Sequence, residues 1–527
     1  MASIEYEKAD SLPHGDEELG GATVIRTDSA IEKEGGNLLL QVDDAAAAGL
    51  KVAKDGKTIL VPQPSDDPRD PLNWSSWKKH SILVVLALAA WLSDFQSGSG
   101  IPLLASQGAE WGLSPNTVNE AGNLNVLLLG LGCLVWIPPA YFWGRLPVLF
   151  WTQLIGTAMV LGSVLCHSFT AYYALRPLTS LFLTSTQSLS LLIIKDMFFF
   201  SEYARKVGLW VWIFLCAPYC GPFFGGFMVD GLGDWRPVLW LVFAVSCLVL
   251  VLICGLVDET WYDRSLPVQP TRPSGVWGRI SDLTGIKERQ YKPGVFPSCM
   301  RLGEIFLKPV TWVVFAVYAL SFMWAVGINI TSSILFATPK AAGGYGFSVR
   351  TISFLYFTPL VAITIGEMVG HRLNDYMADR YVKRHGGLFK PECRLPVFFG
   401  AVVLMIPGLC IVGVALQKQL SIAAVVMGWG MYAVGVMISS VAVSTYLLDC
   451  FPTASGEASA AINLARTIGG FATGYFNVQW GMKSGYDVSF GIQAAIVGFA
   501  TLLVAGLMIF GERIRKAGGP LHFSQHH

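Results

Sequence analysis

The chain has 527 residues, 53% of them hydrophobic and only 14% charged, with a formal net charge of +1. Soluble globular chains average about 25% charged residues, so this composition excludes a soluble enzyme or binding domain and points to a polytopic membrane protein. The near-neutral balance also gives no footing for nucleic acid as a partner.

In chain order, residues 1–79 are polar, of mixed charge and carry Gly and Pro, the composition of a largely disordered cytosolic tail. No cleavable signal peptide is read there; the first apolar run, after Lys78-Lys79-His80, is expected to act as an uncleaved anchor. Apolar runs follow near 80–103, 119–142, 146–167, 170–195, 205–229 and 235–257. A hydrophilic stretch, 259–306, precedes six more, near 307–337, 348–370, 394–416, 419–447, 455–480 and 486–511. Each run is long enough to cross about 30 Å of hydrocarbon as a helix rising about 1.5 Å per residue. The expectation is an all-α integral membrane protein with twelve transmembrane helices. They form two pseudo-symmetric six-helix bundles, 80–258 and 307–511, with a cytosolic central loop, 259–306, and a cytosolic C-terminal tail, 512–527.

Basic residues set the orientation. With both termini in the cytosol, the inner segments hold about two dozen Lys and Arg and the outer loops about five. A repeat supports the duplication: Arg145-Leu146-Pro147-Val148 opens the third run and Arg394-Leu395-Pro396-Val397 the ninth. Transporters are commonly built from such repeats, with the substrate site between the halves near the midplane.

Ionisable side chains deep in a span are expensive and need a partner or a wet face. Asp94 lies within the first run, followed by Gln96, Ser97, Gly98, Ser99 and Gly100. It reads either as a carboxylate that binds and releases a proton, or as a packing Asp bonded to a neighbouring hydroxyl or amide. Glu367, near the inner end of the eighth run, suits gating with Arg372 or Arg380. Lys195, Asp196, Glu202 and Arg205 form a charge cluster at the fourth turn, and Asp449 and Glu457 flank the tenth turn near Arg466. Breaking and remaking such pairs can bias rocking between two states. The ten cysteines are scattered, several inside spans, and read as packing residues. Neither a metal-ligand pattern, a Gly-x-Ser-x-Gly elbow nor a phosphate loop is found, so no enzyme, cofactor or ATP-driven pump is expected.

Several stretches carry a resemblance. The fifth run contains Gly221-Pro222-Phe223-Phe224-Gly225-Gly226. Asp70-Pro71-Leu72-Asn73-Trp74 precedes the first run, Gly144-Arg145-Leu146-Pro147-Val148 ends the second loop, and Arg176 lies in the fourth run. Together they resemble the major facilitator superfamily, closest to the fungal twelve-span drug:proton antiporter type, over about residues 66–515. The resemblance implies export of a small amphipathic compound (drug, toxin or secondary metabolite) driven by the proton gradient. It also implies a monomer in a lipid bilayer, at the plasma membrane or alternatively a vacuolar or vesicle membrane. It gives Arg176 the role of modulating a nearby carboxylate, which joins it to Asp94 as the proton-coupling candidates, and it assigns an antiporter motif to Gly221, Pro222, Gly225 and Gly226 and a cavity to spans 1, 4, 7 and 10. Phe95, Gln187, Asn329, Trp324 and Tyr446 are the cavity candidates. Arg145, Glu367, Arg372, Asp375, Arg380, Asp449 and Arg466 are the gating candidates. Tyr141 departs from the pattern, standing where the second-loop signature usually has an acid. Proton symport of a nutrient such as a polyamine or vitamin is the alternative, and a non-transporting receptor on the same fold a third.

Overall fold

The computed structural model describes residues 38–39, 62–264, 275–285, 292–340, 344–385 and 388–521. The expected disorder of the N-terminal tail falls almost wholly outside these residues, as do 522–527 of the C-terminal tail. Among the described residues, twelve long helices follow one another. In the first bundle they are α1 (Ser76–Ser99), α2 (Pro115–Phe142), α3 (Arg145–Leu165), α4 (Phe169–Met197), α5 (Phe200–Leu232) and α6 (Arg236–Leu256). In the second they are α7 (Pro309–Ala337), α8 (Val349–Arg384), α9 (Pro396–Gln417), α10 (Ile422–Cys450), α11 (Ser455–Ser484) and α12 (Tyr486–Gly518). Short helices Gly275–Thr284 and Val295–Leu307 lie between the bundles.

Among the described residues, eleven helices are long and apolar enough to cross a membrane. The exception is α11, whose buried residues include Ser455, Glu457, Ser459, Asn463, Arg466 and Thr467. A helix this polar persists in a bilayer only by facing other protein or a wet cavity. It does so: α11 packs on α2 and α7, and also meets α4 and α12. Thus α2–α11, α4–α11 and α5–α8 are the seams where the two bundles meet.

Two helices are broken. The first segment of α4 ends at Leu183 and the second starts at Ser185, with Pro177 inside the first. The start of α8 is a short piece, Val349–Leu355, set off at Tyr356.

The Asp70-Pro71-Leu72-Asn73-Trp74 stretch has a local physical role. Pro71 starts a single 3₁₀ turn, and Asp70 caps it by accepting from the Leu72 N–H at 3.0 Å. Asp70 also accepts from the Ser65 N–H, and Arg264 binds its two oxygens at 2.9 and 3.1 Å. The segment before α1 is thereby clamped to the chain leaving α6. Burial alone pushes the Asp70 carboxyl up, but Arg264 and the two backbone N–H groups outweigh it and hold the carboxyl below its ordinary value. A carboxylate with a depressed folded value stabilises the fold above its unfolded pKa, and that contribution is lost as pH falls through the folded value. Asp70→Asn is therefore expected to lower thermal stability at neutral pH by about 2 kcal/mol. The gap to wild type should close in acid, where both side chains are neutral. Equal melting at neutral pH would show that the clamp contributes nothing.

Candidate functional site

A cavity lies between the bundles, with Asp94, Arg176, Tyr219, Phe322, Asn329 and Arg466 in its wall. Its lining continues along the end of α1, the start of α2 and Tyr172 of α4, so it runs from Asp94 toward the end of the molecule opposite the termini.

Its deep end is an ion pair between the bundles. Arg466 Nη2 of α11 lies 3.2 and 3.4 Å from the two Asp94 oxygens of α1 and 3.3 Å from Gln187 Oε1 of α4. Gln187 in turn donates through Nε2 to Asp94 Oδ2 at 2.7 Å and to Ser93 Oγ at 2.6 Å. All three side chains are buried. Asp94 is about halfway along the span Ser76–Trp111, which a 3₁₀ turn at Ile101–Leu103 interrupts. Removing one partner of a buried pair leaves an uncompensated charge, at a cost of about 3–5 kcal/mol. Because Asp94 and Arg466 belong to different bundles, any separation of α1 from α11 must break the pair or neutralise one member.

This placement revises the expectation for Arg466, which its position in the sequence groups with the tenth turn. Asp449 there pairs with Arg394 instead. Arg466 lies nine residues, about 13 Å of helix, beyond Glu457, and so is carried inward from that turn. The available signal is a charge well inside the run 455–480.

Arg176, also in the cavity wall, holds backbone carbonyls of α1. Its Nη2 donates to the carbonyls of Gln96 and Ser97, at 2.9 and 3.0 Å, where α1 ends. Gly100 leaves room for it, since a Cβ there would stand 2.2 Å from that nitrogen. Ser180 donates to Asn125 Oδ1 at 2.6 Å and ties α4 to α2.

Of the cavity candidates, Asn329 lines the wall and donates to the Pro218 carbonyl of α5 at 3.2 Å, while Gln187 belongs to the ion-pair network. The other three lie elsewhere. Phe95 stacks on Trp91 with ring centres 4.3 Å apart, and Trp324 is packed in the core. Tyr446 lies near the termini end, its hydroxyl beside Gly511. Period alone could not fix these directions, because these stretches of helix are buried on several sides. The aromatic residues in the wall are Tyr172, Tyr219 and Phe322.

The antiporter-motif glycines are contact points. A Cβ on Gly221 would stand 2.4 Å from Ser99 N and 2.6 Å from Gly98 C of α1. On Gly226 it would meet Ser353 Oγ of α8 at 1.9 Å, whereas on Gly225 the nearest atoms stand farther off: side-chain carbons of Pro102 and Val238 at 3.1 and 3.3 Å and the Ser99 carbonyl oxygen at 3.6 Å. Pro222, a helix-interior proline, lies against the start of α8 and the end of α7 in a second pocket.

At the termini end the repeat extends from sequence into ion pairs. Arg145 Nε at the start of α3 is 3.3 Å from Asp196 at the end of α4. Arg394, at the equivalent place before α9, binds Asp449 at the end of α10 and lies 3.9 Å from Asp375. Glu259 caps the start of α3, accepting from the N–H groups of Arg145 and Leu146 at 3.2 Å each. Tyr141 lies under Arg301, whose guanidinium is 4.4 Å above its ring and 3.2 Å from Glu457 of α11. The acid missing at that position is thus replaced by an inter-bundle contact through the linker. Glu367 bonds His371 at 2.9 Å, not Arg372 or Arg380. Residue 371 is one turn on and faces it, 372 is turned away and exposed, and 380 is about 20 Å along the helix. Arg380 Nη1 instead donates to the Tyr376 hydroxyl at 2.9 Å.

Two six-helix bundles meeting around a cavity with a buried ion pair at its deep end define a multi-pass membrane transporter. The family model of the Major Facilitator Superfamily matches residues 86–474, and the chain belongs to that family. It is similar to the efflux pump radE of Floropilus chiversii, at 24% identity over 86% of this chain and 84% of that protein. It is also similar to the major facilitator superfamily multidrug transporter mdrA of Aspergillus fumigatus, at 24% identity over 91% and 78%. Among solved structures it shares the fold of the human organic anion transporter MFSD10, with a TM-score of 0.54 and 15% identity over 81% of this chain and 99% of that one. It likewise matches the xylose transporter XylE from E. coli, with a TM-score of 0.56 and 15% identity over 82% and 98%.

Proposed function

We propose that the protein exports a small amphipathic organic compound, a drug, toxin or secondary metabolite, in exchange for protons. It would do so by alternating access, as a monomer in the plasma membrane with both termini cytosolic. The observation that carries this reading is the Asp94–Arg466 pair joining the bundles at the deep end of the cavity. When Asp94 takes a proton, the Arg466 charge loses its counter-charge and keeps the Gln187 carbonyl as an acceptor. An unpaired buried guanidinium is costly, so protonation favours parting of α1 from α11, and deprotonation draws them together again. The proton gradient then biases the rocking, with no cofactor and no covalent chemistry. Phe322, Val326 and Tyr219 offer apolar surface and Asn329 an amide, a wall suited to an amphipathic guest. Export is supported by the Gly221–Gly226 cluster and by the names of the two fungal relatives.

The test uses liposomes loaded with a pH dye, without a starting gradient, and a panel of amphipathic dyes added outside. Lumen alkalinisation above that of Asp94→Asn liposomes is the expected result, since protons leave as substrate enters. Acidification would reject exchange and establish symport, the importer alternative.

A further inference from the structure

We propose that the two linker helices, Gly275–Thr284 and Val295–Leu307, lie on the membrane surface with their apolar faces in the lipid interface, so that the central linker is a lipid-binding element rather than a cytosolic loop. Each helix has two distinct sides. The first packs on α3 through buried Gly278 and Leu283 and exposes Val276, Trp277 and Ile280, with Trp277 at 82%. The second packs on α2 and buries Ser298 and Ile305, while Phe296, Met300 and Leu307 face outward, Phe296 at 75% and Leu307 at 78%. Residues 296, 300 and 307 share one side of the helix, and 298, 301 and 305 the other.

Two anchors fix the level of these helices. Arg279 Nη2 donates to the carbonyls of Cys254 and Val257 at 2.8 and 2.7 Å, where α6 ends. Trp312 in the first turn of α7 donates to the Phe306 carbonyl at 2.7 Å and lays its ring 5.9 Å from that of Phe306. Trp312 is itself exposed on a membrane span. The outward faces therefore sit where one span leaves the hydrocarbon and the next enters it, and the second runs directly into the lipid-facing belt of α7. Short helices with an outward apolar side bearing Trp and Phe at that depth match the physics of interfacial helices. An apolar face of this size on a soluble loop would instead be an aggregation liability. The opposite side of the second helix carries Arg301 to Tyr141 and Glu457. Lipid seating thus also sets the position of an inter-bundle contact.

The test places single nitroxide-labelled cysteines at Trp277, Phe296 and Met300 in the full-length chain, with its other accessible thiols replaced. The protein is reconstituted in vesicles of mixed phosphatidylcholine and phosphatidylserine. Collision with oxygen is compared with collision with a water-soluble nickel chelate. Trp312 serves as the lipid-facing reference, and exposed Asp379 and Lys383 as water-facing references. The oxygen-to-nickel ratio at the three sites is expected to match Trp312 and to exceed the water-facing values about 3-fold or more. Ratios equal to those at Asp379 and Lys383 would overturn the proposal in favour of a water-exposed loop. Labels shielded from both reagents would overturn it in favour of a protein partner. None of these outcomes depends on whether substrate movement is coupled to protons.

Discussion

Asp94→Asn is expected to abolish proton-driven flux while leaving substrate exchange across the bilayer. Asn keeps the shape of the side chain and an oxygen for the Gln187 amide, so the local packing survives. What it loses is the charge opposite Arg466 and the capacity to titrate. Breaking a buried pair from one side costs about 3–5 kcal/mol, a shift of more than roughly 100-fold between the two states, and the proton no longer has a means of reversing it. The double variant Asp94→Asn/Arg466→Leu removes both charges and should recover thermal stability, because a neutral replacement of a buried pair is often tolerated. It should remain uncoupled. Normal proton-driven flux through Asp94→Asn would remove the pair from the mechanism.

Gly221→Val is the second large effect. The atoms a Cβ would meet are the Ser99 nitrogen, the Gly98 carbonyl carbon and the Phe95 oxygen, at 2.4, 2.6 and 2.8 Å. These are backbone atoms of α1 and cannot rotate away, so α1 must move off α5. Overpacking of this kind costs about 1–3 kcal/mol, and here the displaced segment is the one that carries Asp94. Transport should fall about 10-fold or more with surface expression retained. Around Gly225 the nearest atoms are side-chain carbons at 3.1 and 3.3 Å and the Ser99 oxygen at an ordinary 3.6 Å, so Gly225→Val should be much milder. Equal loss in both variants would favour a role for the whole cluster beyond packing. Wild-type transport in Gly221→Val would leave the close approach without a function.

How much of this is legible in the sequence follows from which forces act locally. The spans are legible because hydrocarbon thickness imposes length and polarity on each helix separately. Even α11 stands out as a run, although its polar residues make it too hydrophilic to cross alone. Asp94 is visible because one charge in an apolar run is conspicuous. Its partner is not, because Arg466 is 372 positions away and only the packing of α2 against α11 brings it there. The repeat places Arg145 and Arg394 at matching positions, but their partners Asp196 and Asp449 emerge only with the fold. Phe95, Trp324 and Tyr446 lie on stretches of helix buried on several sides, where periodicity cannot tell cavity from core. The central linker reads as hydrophilic because its two helices are short. Their apolar residues are spread around three or four turns and never form a run.

The central claim is that Asp94 gains and loses a proton while it joins the two bundles. Infrared difference spectroscopy of the reconstituted protein, swept from acid to alkaline pH, tests this without a substrate. Comparing wild type with Asp94→Asn isolates the protonated carboxyl band of this one side chain. A band that disappears as pH rises in wild type and is missing from Asp94→Asn is the expected result. Identical titrating bands in the two proteins would place the exchanging proton elsewhere and leave the Asp94–Arg466 pair as a fixed structural contact.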